Sequence, residues 1–144
     1  MPNGTNISAH EAVARILDSY RTVAVVGLSP KPHRDSFEVA QYMQAQGWRI
    51  IPINPNAQSI LGEKAYPSLL EAAAHERIEL VNVFRNSADV PPVVDDAIAV
   101  GATAIWLQLG IVHEDSAALA RQAGVLVVQD KCLLVEHRRH FRGR

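Results

Sequence analysis

The chain has 144 residues, of which 48% are hydrophobic and 20% are charged, and its formal net charge is −1. This length is typical of one domain, and this composition is that of an ordinary globular protein with a buried core. The near-zero charge excludes a global electrostatic argument for binding nucleic acid or membranes. No apolar stretch approaches the roughly 20 residues that span a bilayer.

The N-terminal residues and the cysteine content point to one cellular compartment. The first residues lack the basic region and apolar block of a secretory signal. Cys132 is the single cysteine, so an internal disulfide is impossible. We therefore expect a cytoplasmic protein.

The first predicted element is an amphipathic helix. Ser8 precedes it and Glu11 follows three residues later, which is the spacing of a capping box at a helix N-terminus. The i, i+3, i+4, i+7 spacing of one buried stripe is formed by Val13, Ile16, Leu17 and Tyr20.

Five short apolar runs follow, separated mostly by stretches with helical spacing. Nearly continuous apolar runs suit strands that are buried on both faces, as in parallel sheets. The predicted strands are 23–26, 49–53, 80–84, 104–107 and 125–128. Between the second and third runs the pattern is less regular, and there EKAY predicts a short extra strand and 67–74 a helix.

A glycine separates a helical stretch from the next strand at three junctions, at Gly47, Gly101 and Gly124. Glycine is favoured just past a helix C-terminus, where the backbone becomes left-handed. Repeated units of this kind give a parallel sheet with helices on both faces. The sequence therefore predicts an α/β three-layer sandwich with a mostly parallel sheet of five or six strands, in a single domain from 1 to 144.

The last residues, HRRHFRGR (137–144), form a basic tail. The simplest interpretation is a helix end followed by a frayed, solvated terminus. A basic contact for an anionic ligand or partner is the alternative.

The stretch VAVVGLSPKPHRDSF (23–37) carries the main binding hypothesis. In open α/β sheets, ligands bind beyond the carboxyl ends of the strands, where the strand order reverses. The loop leads into a helix predicted to begin near Asp35 or Ser36, whose free N–H groups and dipole favour phosphate. Further partners for phosphate in this loop are Gly27, Ser29, Lys31, His33, Arg34 and Ser36. The alternative is that Asp35 or Ser36 only caps the helix.

Polar groups also follow the third and fourth long strands, in FRNS and QLGI. Phe84 can stack on a base and Arg85 can pair with a phosphate. Gln108 can form hydrogen bonds, and Gly110 allows a ligand to approach the backbone. Each residue alone is commonly structural, but their convergence on one sheet edge favours a site.

Two standard nucleotide motifs are absent. The dinucleotide fingerprint G-x-G-x-x-G does not occur, and the second strand ends in INPN, without the acid that holds a ribose in NAD sites. The P-loop motif is absent as well. These absences argue against a standard NAD site and against a P-loop nucleotidase.

The elements INP, VFRNS, WLQLGI and DKC occur in the order found in small CoA-binding domain proteins of the YccU-like type. The resemblance extends from about residue 20 to 140 and includes the N-terminal domain of the succinyl-CoA synthetase α subunit. It implies a Rossmann-like fold that binds coenzyme A at the carboxyl ends of the strands.

The resemblance also implies roles for individual residues. The first loop would contact phosphates through Gly27, Leu28, Ser29, Pro30, Lys31, Arg34 and Ser36. Asn54 and Pro55 would line the nucleotide side. Adenosine or the pantetheine arm would be bordered by Phe84, Arg85 and Asn86, with Gln108 and Gly110 near the same crevice.

Two departures from the synthetase bear on function. The phosphorylated histidine lies in a second synthetase domain and has no counterpart at His113, so synthetase chemistry is not expected. A CoA-binding lysine of the synthetase corresponds to the region of Ala57. The 3′-phosphate of the coenzyme then depends on Lys31 or Arg34, or the affinity is weak.

Three function classes are considered. The first is a module that binds coenzyme A or an acyl-CoA non-covalently, with a homodimer or a protein partner left open. The second is a nucleotide-dependent enzyme, either an acyl-CoA transferase or an NAD(P)-type oxidoreductase. A redox-responsive regulator is a third interpretation, but no DNA-binding segment is visible.

A catalytic or metal constellation is hard to assemble from the sequence. Cys132 and His137 are five residues apart, which places them about 140° apart on a helix and not face to face. A structural cysteine is favoured, with thiol exchange as the alternative. The six histidines show no metal-ligand spacing.

Overall fold

The computed structural model describes residues 7–142. Its strands are β1 (Thr22–Val26), β2 (Arg49–Ile53), β3 (Ser59–Ile60), β4 (Glu63–Lys64), β5 (Leu80–Val83), β6 (Ala104–Leu107) and β7 (Leu126–Val128). The α-helices are α1 (Ala9–Ser19), α2 (Asp35–Ala45), α3 (Leu69–Ala73), α4 (Val90–Ala99), α5 (Glu114–Gln122) and α6 (Leu133–Arg142), and a 3₁₀-helix spans Ser87–Asp89. None of these helices is long and apolar enough to cross a membrane.

Five strands form one parallel sheet in the order β2–β1–β5–β6–β7. The chain places β2 on one side of β1, returns across β1 to β5, and then continues outward to β6 and β7. The strand order therefore reverses between β1 and β5. The predicted α/β, Rossmann-like sandwich is confirmed, and its sheet has five strands.

The sheet separates two apolar cores. One face packs against α3, α4 and α5, and the other packs against α1, α2 and α6. On α1, Ile16 and Leu17 are completely buried, and Ser8 Oγ accepts the Glu11 N–H at 3.1 Å. The predicted stripe and N-cap are thus both confirmed, and a cap of this type contributes about 1 kcal/mol.

The extra strand predicted from EKAY does not join the main sheet. β4 pairs with β3 in a separate two-stranded antiparallel ribbon, and Tyr66 forms a single parallel bridge to Ile53. The helix predicted at 67–74 is present as the shorter α3. The irregular region thus covers the edge of the sheet beside β2.

The helix end predicted in the basic tail is present over residues 137–142. α6 continues to Arg142, and His137 within it is 6% exposed. His137 Nδ1 lies 2.9 Å from Tyr42 Oη, and its ring centroid lies 4.7 Å from that of Phe141. The contact with Tyr42 attaches α6 to α2. The remaining tail residues, 143 and 144, lie outside the described residues.

The burial of His137 makes the stability dependent on pH. Burial, followed by the charges of Arg21 and His140, lowers the pKa of His137 below its usual 6.5. The unfolded chain then binds the proton more readily than the folded chain. The contribution of neutral His137 to the free energy of unfolding is therefore complete above about pH 6.5, and it is lost as the pH falls through the pKa of the folded state. We expect the melting temperature to fall between about pH 7 and about pH 5.

The variant His137→Gln removes this titration and is expected to flatten the dependence of the melting temperature on pH. Equal slopes for the wild type and the variant would contradict the assignment to His137.

Candidate functional site

The carboxyl ends of β1 and β5 form the crevice expected of an open α/β sheet. Successive connections leave these two strands toward opposite faces, so a gap opens where the strand order reverses. The loop 27–34 follows β1 and leads to α2, and the loop 84–86 follows β5 and leads to the 3₁₀-helix and α4. The two predicted binding loops therefore begin side by side.

Gly27 is required where these loops meet. Its φ is +85°, and a Cβ built on it would lie 2.3 Å from the Phe84 carbonyl oxygen. The Gly27 N–H donates to the Ile53 carbonyl at 3.1 Å, and the Phe84 N–H donates to the Val26 carbonyl at 2.9 Å. Only glycine permits this approach of the two backbones.

The loop after β1 folds back onto the start of α2. The Ser29 N–H donates to Ser36 Oγ at 3.0 Å, and the Lys31 N–H donates to Ser29 Oγ at 3.1 Å. The Arg34 N–H donates to the Lys31 carbonyl at 3.1 Å. These bonds fix a compact turn that raises Lys31 and Arg34 into solvent.

The first turn of α2 has no side-chain cap. Arg34 is the N-cap residue, and neither Asp35 nor Ser36 caps the helix. Glu38 is the first residue whose N–H donates into the helix, to the Arg34 carbonyl at 3.1 Å. Within the described part of the chain, the N–H groups of 35–37 have no acceptor, which is the arrangement that suits an anion.

Three open cavities meet at Phe84. The loop cavity, of about 570 Å³, is lined by Gly27, Ser29, His33, Arg34, Asp35, Ser36 and Phe84. The Arg85 cavity, of about 500 Å³, is lined by Phe84, Arg85, Asn86, Ser87, Asp89, Gly110 and Ile111. The Leu109 cavity, of about 310 Å³, is lined by Asp35, Glu38, Val39, Phe84, Gln108, Leu109, Ile111, Cys132 and Leu134.

Charge is divided between these cavities. Arg34, which is cationic, and His33, which can be protonated, line the loop cavity. Glu38 lines only the Leu109 cavity, and Asp35 lines both cavities. Among the ion pairs of residues 7–142, none involves Lys31, Arg34 or Arg85. These three exposed cations are available to an anionic ligand.

A family model described as a CoA binding domain matches residues 21–138. The chain belongs to this family. The Bacillus subtilis protein YneT is 38% identical over 125 residues, which cover 87% of this chain and 91% of that protein. A solved structure from Thermus thermophilus superimposes with a TM-score of 0.85 at 34% identity, covering 94% of this chain and all of that one.

A CoA-dependent ligase is also among the relatives of this CoA-binding domain. The ADP-forming acetate–CoA ligase II of Archaeoglobus fulgidus is 26% identical over 114 residues. The match covers 77% of this chain and 17% of the ligase. The similarity is therefore confined to one part of a much larger enzyme.

The CoA-binding domain gathers many of the predicted site residues around Phe84. The cavities are lined by the predicted residues Gly27, Ser29, Arg34, Ser36, Phe84, Arg85, Asn86, Gln108 and Gly110. The same three cavities are not lined by Leu28, Pro30, Lys31, Asn54 and Pro55. Lys31 and Pro30 are exposed on the loop, and Pro55 is exposed beyond β2.

Several predicted contact residues have structural partners. Leu28 is completely buried, so neither its side chain nor its backbone is exposed to a ligand. Asn54 Nδ2 donates to the Leu28 carbonyl at 2.9 Å, so Asn54 braces the loop from below. Gln108 is 5% exposed, and its Oε1 accepts the Leu133 N–H at 2.8 Å, which fixes the start of α6.

Other residues at the crevice were not among the predicted ligands. Ser87 ends the FRNS motif, and its Oγ accepts the Val112 N–H at 3.1 Å, which joins two of the loops. Asp130 Oδ1 accepts the Gly110 N–H at 2.7 Å. Leu109 is 69% exposed although it is a large apolar residue. The sequence signal for this residue was its position between Gln108 and Gly110, where a large apolar side chain lies in a predicted binding loop.

Cys132 lies at the crevice, and His137 is not its basic partner. It is half-buried and lines the Leu109 cavity, whereas His137 bonds to Tyr42. Within residues 7–142, no group of three His, Cys, Asp or Glu side chains is arranged to hold a metal ion.

Proposed function

We propose that the chain binds coenzyme A or an acyl-CoA non-covalently at the crevice between β1 and β5. The observation that carries this proposal is the uncapped first turn of α2, which opens into the loop cavity beside Arg34. Free N–H groups at a helix N-terminus and a guanidinium both favour phosphate oxygens. Membership of the CoA-binding family supports the same ligand.

The affinity depends on geometry more than on total charge. Lys31 and Arg34 are offset by Asp35 and Glu38 on the same loop and helix, so the local formal charge is near zero. Arg34 lines the loop cavity, whereas Glu38 lines only the Leu109 cavity, so the phosphates have a favourable position beside Arg34. Exposed charges act over about 8 Å at physiological salt, and binding is therefore expected to weaken as salt is added.

Calorimetry with coenzyme A tests the proposal. Arg34→Ala is expected to weaken binding about tenfold, because one hydrogen bond to a charged group contributes roughly 1.5 kcal/mol. Arg77→Ala removes the same charge from an exposed position just before β5, at the amino ends of the strands, and serves as the matched control. Absence of binding to the wild type, or equal loss in both variants, would contradict the proposal.

Dephospho-CoA separates the roles of the two loop cations. We propose that Arg34 holds the pyrophosphate and that Lys31 holds the 3′-phosphate. The penalty of Lys31→Ala is then expected to disappear with dephospho-CoA, while the penalty of Arg34→Ala persists. The same penalties with both ligands would assign Lys31 to the pyrophosphate instead.

We further propose that the domain acts as a binding module without chemistry of its own. The crevice has a single thiol, Cys132, and His137 is directed to Tyr42 and not to it. Incubation with acyl-CoA esters, followed by chromatography, is expected to return them unchanged at the rate of buffer alone. Turnover that is lost in Cys132→Ser would favour the enzyme alternative.

A further inference from the structure

We propose that the Leu109 cavity holds a short, uncharged, saturated acyl chain of an acyl-CoA, an inference that rests on the proposed function. The cavity shares Asp35 and Phe84 with the loop cavity. A ligand whose phosphates lie at the start of α2 therefore reaches this cavity by passing Phe84. We assign the acyl end of the ligand to it because four of its lining side chains are aliphatic, against one in the Arg85 cavity and none in the loop cavity.

The lining of the Leu109 cavity suits a hydrocarbon. Val39, Leu109, Ile111 and Leu134 contribute aliphatic surface, and Phe84 contributes an aromatic ring. Leu109 is 69% exposed, so a bound chain covers apolar surface that is otherwise in water. At about 310 Å³ the cavity is at the lower end of the range for ligand pockets, which favours a short chain.

The charge around the cavity selects against acidic acyl groups. Asp35 and Glu38 line it, and no Lys or Arg is among the described residues that do so. A carboxylate at the end of the acyl chain, as in a succinyl group, would thus meet two like charges without a counter-ion.

Calorimetry with a series of esters measures the preference. Each fully buried methylene contributes up to about fourfold in affinity, so butyryl-CoA is expected to bind about tenfold more tightly than acetyl-CoA. Succinyl-CoA has a four-carbon chain as well, and it is expected to bind at least about tenfold more weakly than butyryl-CoA. Equal affinities across the series would overturn this inference.

Substitutions to uncharged residues test whether the preference for an acyl group arises in the Leu109 cavity. Leu109→Asn is expected to reduce the affinity ratio of butyryl-CoA to coenzyme A to near one. Leu119→Asn makes the same change at another exposed leucine, on α5 and outside the cavity, and is expected to retain the ratio. Glu38→Gln is expected to narrow the gap between butyryl-CoA and succinyl-CoA.

The outcomes separate this inference from the proposed function. Binding of coenzyme A without any acyl preference overturns the inference and leaves the proposed function supported. Failure of every ester and of coenzyme A itself overturns both. If Leu109→Asn weakens coenzyme A and butyryl-CoA equally, the cavity holds the pantetheine arm, and the acyl assignment is wrong.

Discussion

Replacing Gly27 with alanine is expected to lower the free energy of unfolding by about 3 kcal/mol or more. Two costs combine at this position. The φ of +85° disfavours any residue with a Cβ, by about 1–2 kcal/mol. In addition, the new methyl group would lie 2.3 Å from the Phe84 carbonyl oxygen, and this oxygen belongs to the backbone, which cannot rotate away. Urea denaturation of the two proteins measures the difference.

Gly124→Ala is the matched control for Gly27→Ala. Gly124 has a φ of +87°, and a Cβ built on it has nothing within 4 Å. It carries the backbone cost alone, so a loss of about 1–2 kcal/mol is expected. The difference between the two variants measures the contact with Phe84, and equal losses would show that the loops have room to separate.

The same contact connects Gly27 to binding. Relief of the overlap requires the loop after β1 to move away from Phe84, which lines all three cavities. Where Gly27→Ala still folds, coenzyme A affinity is therefore expected to fall more than in Gly124→Ala.

The strands of the sheet could be predicted from the sequence because strands buried on both faces contain few polar residues. The runs that became β1, β5 and β6 are almost continuous in Val, Ile, Leu and Ala, and each is fully or nearly fully buried. The glycines at the helix–strand junctions have positive φ, as predicted. The switch point between β1 and β5 follows from strand order, which the sequence implied only through the family resemblance.

The direction in which each polar side chain points could not be predicted from the sequence. Gln108 was predicted to face a ligand because it follows a strand at its carboxyl end, and Asn54 because of the family resemblance. Their actual partners are the Leu28 carbonyl and the Leu133 N–H, which are distant in sequence. A local pattern does not distinguish a polar group that binds a ligand from one that satisfies a buried backbone atom.

The packing of the helix end in the basic tail was not predicted, for a related reason. Its charges suggested a solvated end, but His137 and Phe141 lie on one side of α6, four residues apart, and pack together. Two aromatic rings at helical spacing were the signal for a packed helix, and the surrounding arginines obscured it.

Asn82→Leu is expected to raise the free energy of unfolding by about 2 kcal/mol. Asn82 is completely buried in β5, and within the described residues its Oδ1 and Nδ2 have no hydrogen-bond partner. Its neighbours in register are Val25 and Trp106, which belong to the apolar core shared with α1, α2 and α6. Leucine has a similar branched shape, and it removes an unpaired amide from this core.

Gln108→Leu is the matched control, because it removes a buried amide that has a partner. Its Oε1 accepts the Leu133 N–H, and loss of this bond leaves a buried donor unpaired, at a cost of about 1–3 kcal/mol. The two substitutions make nearly the same chemical change and are expected to shift the urea midpoint in opposite directions. Asn82→Val is included because leucine is slightly larger than asparagine and can overpack the core. If both Asn82 variants are less stable than the wild type, the amide contributes a hydrogen bond to the fold.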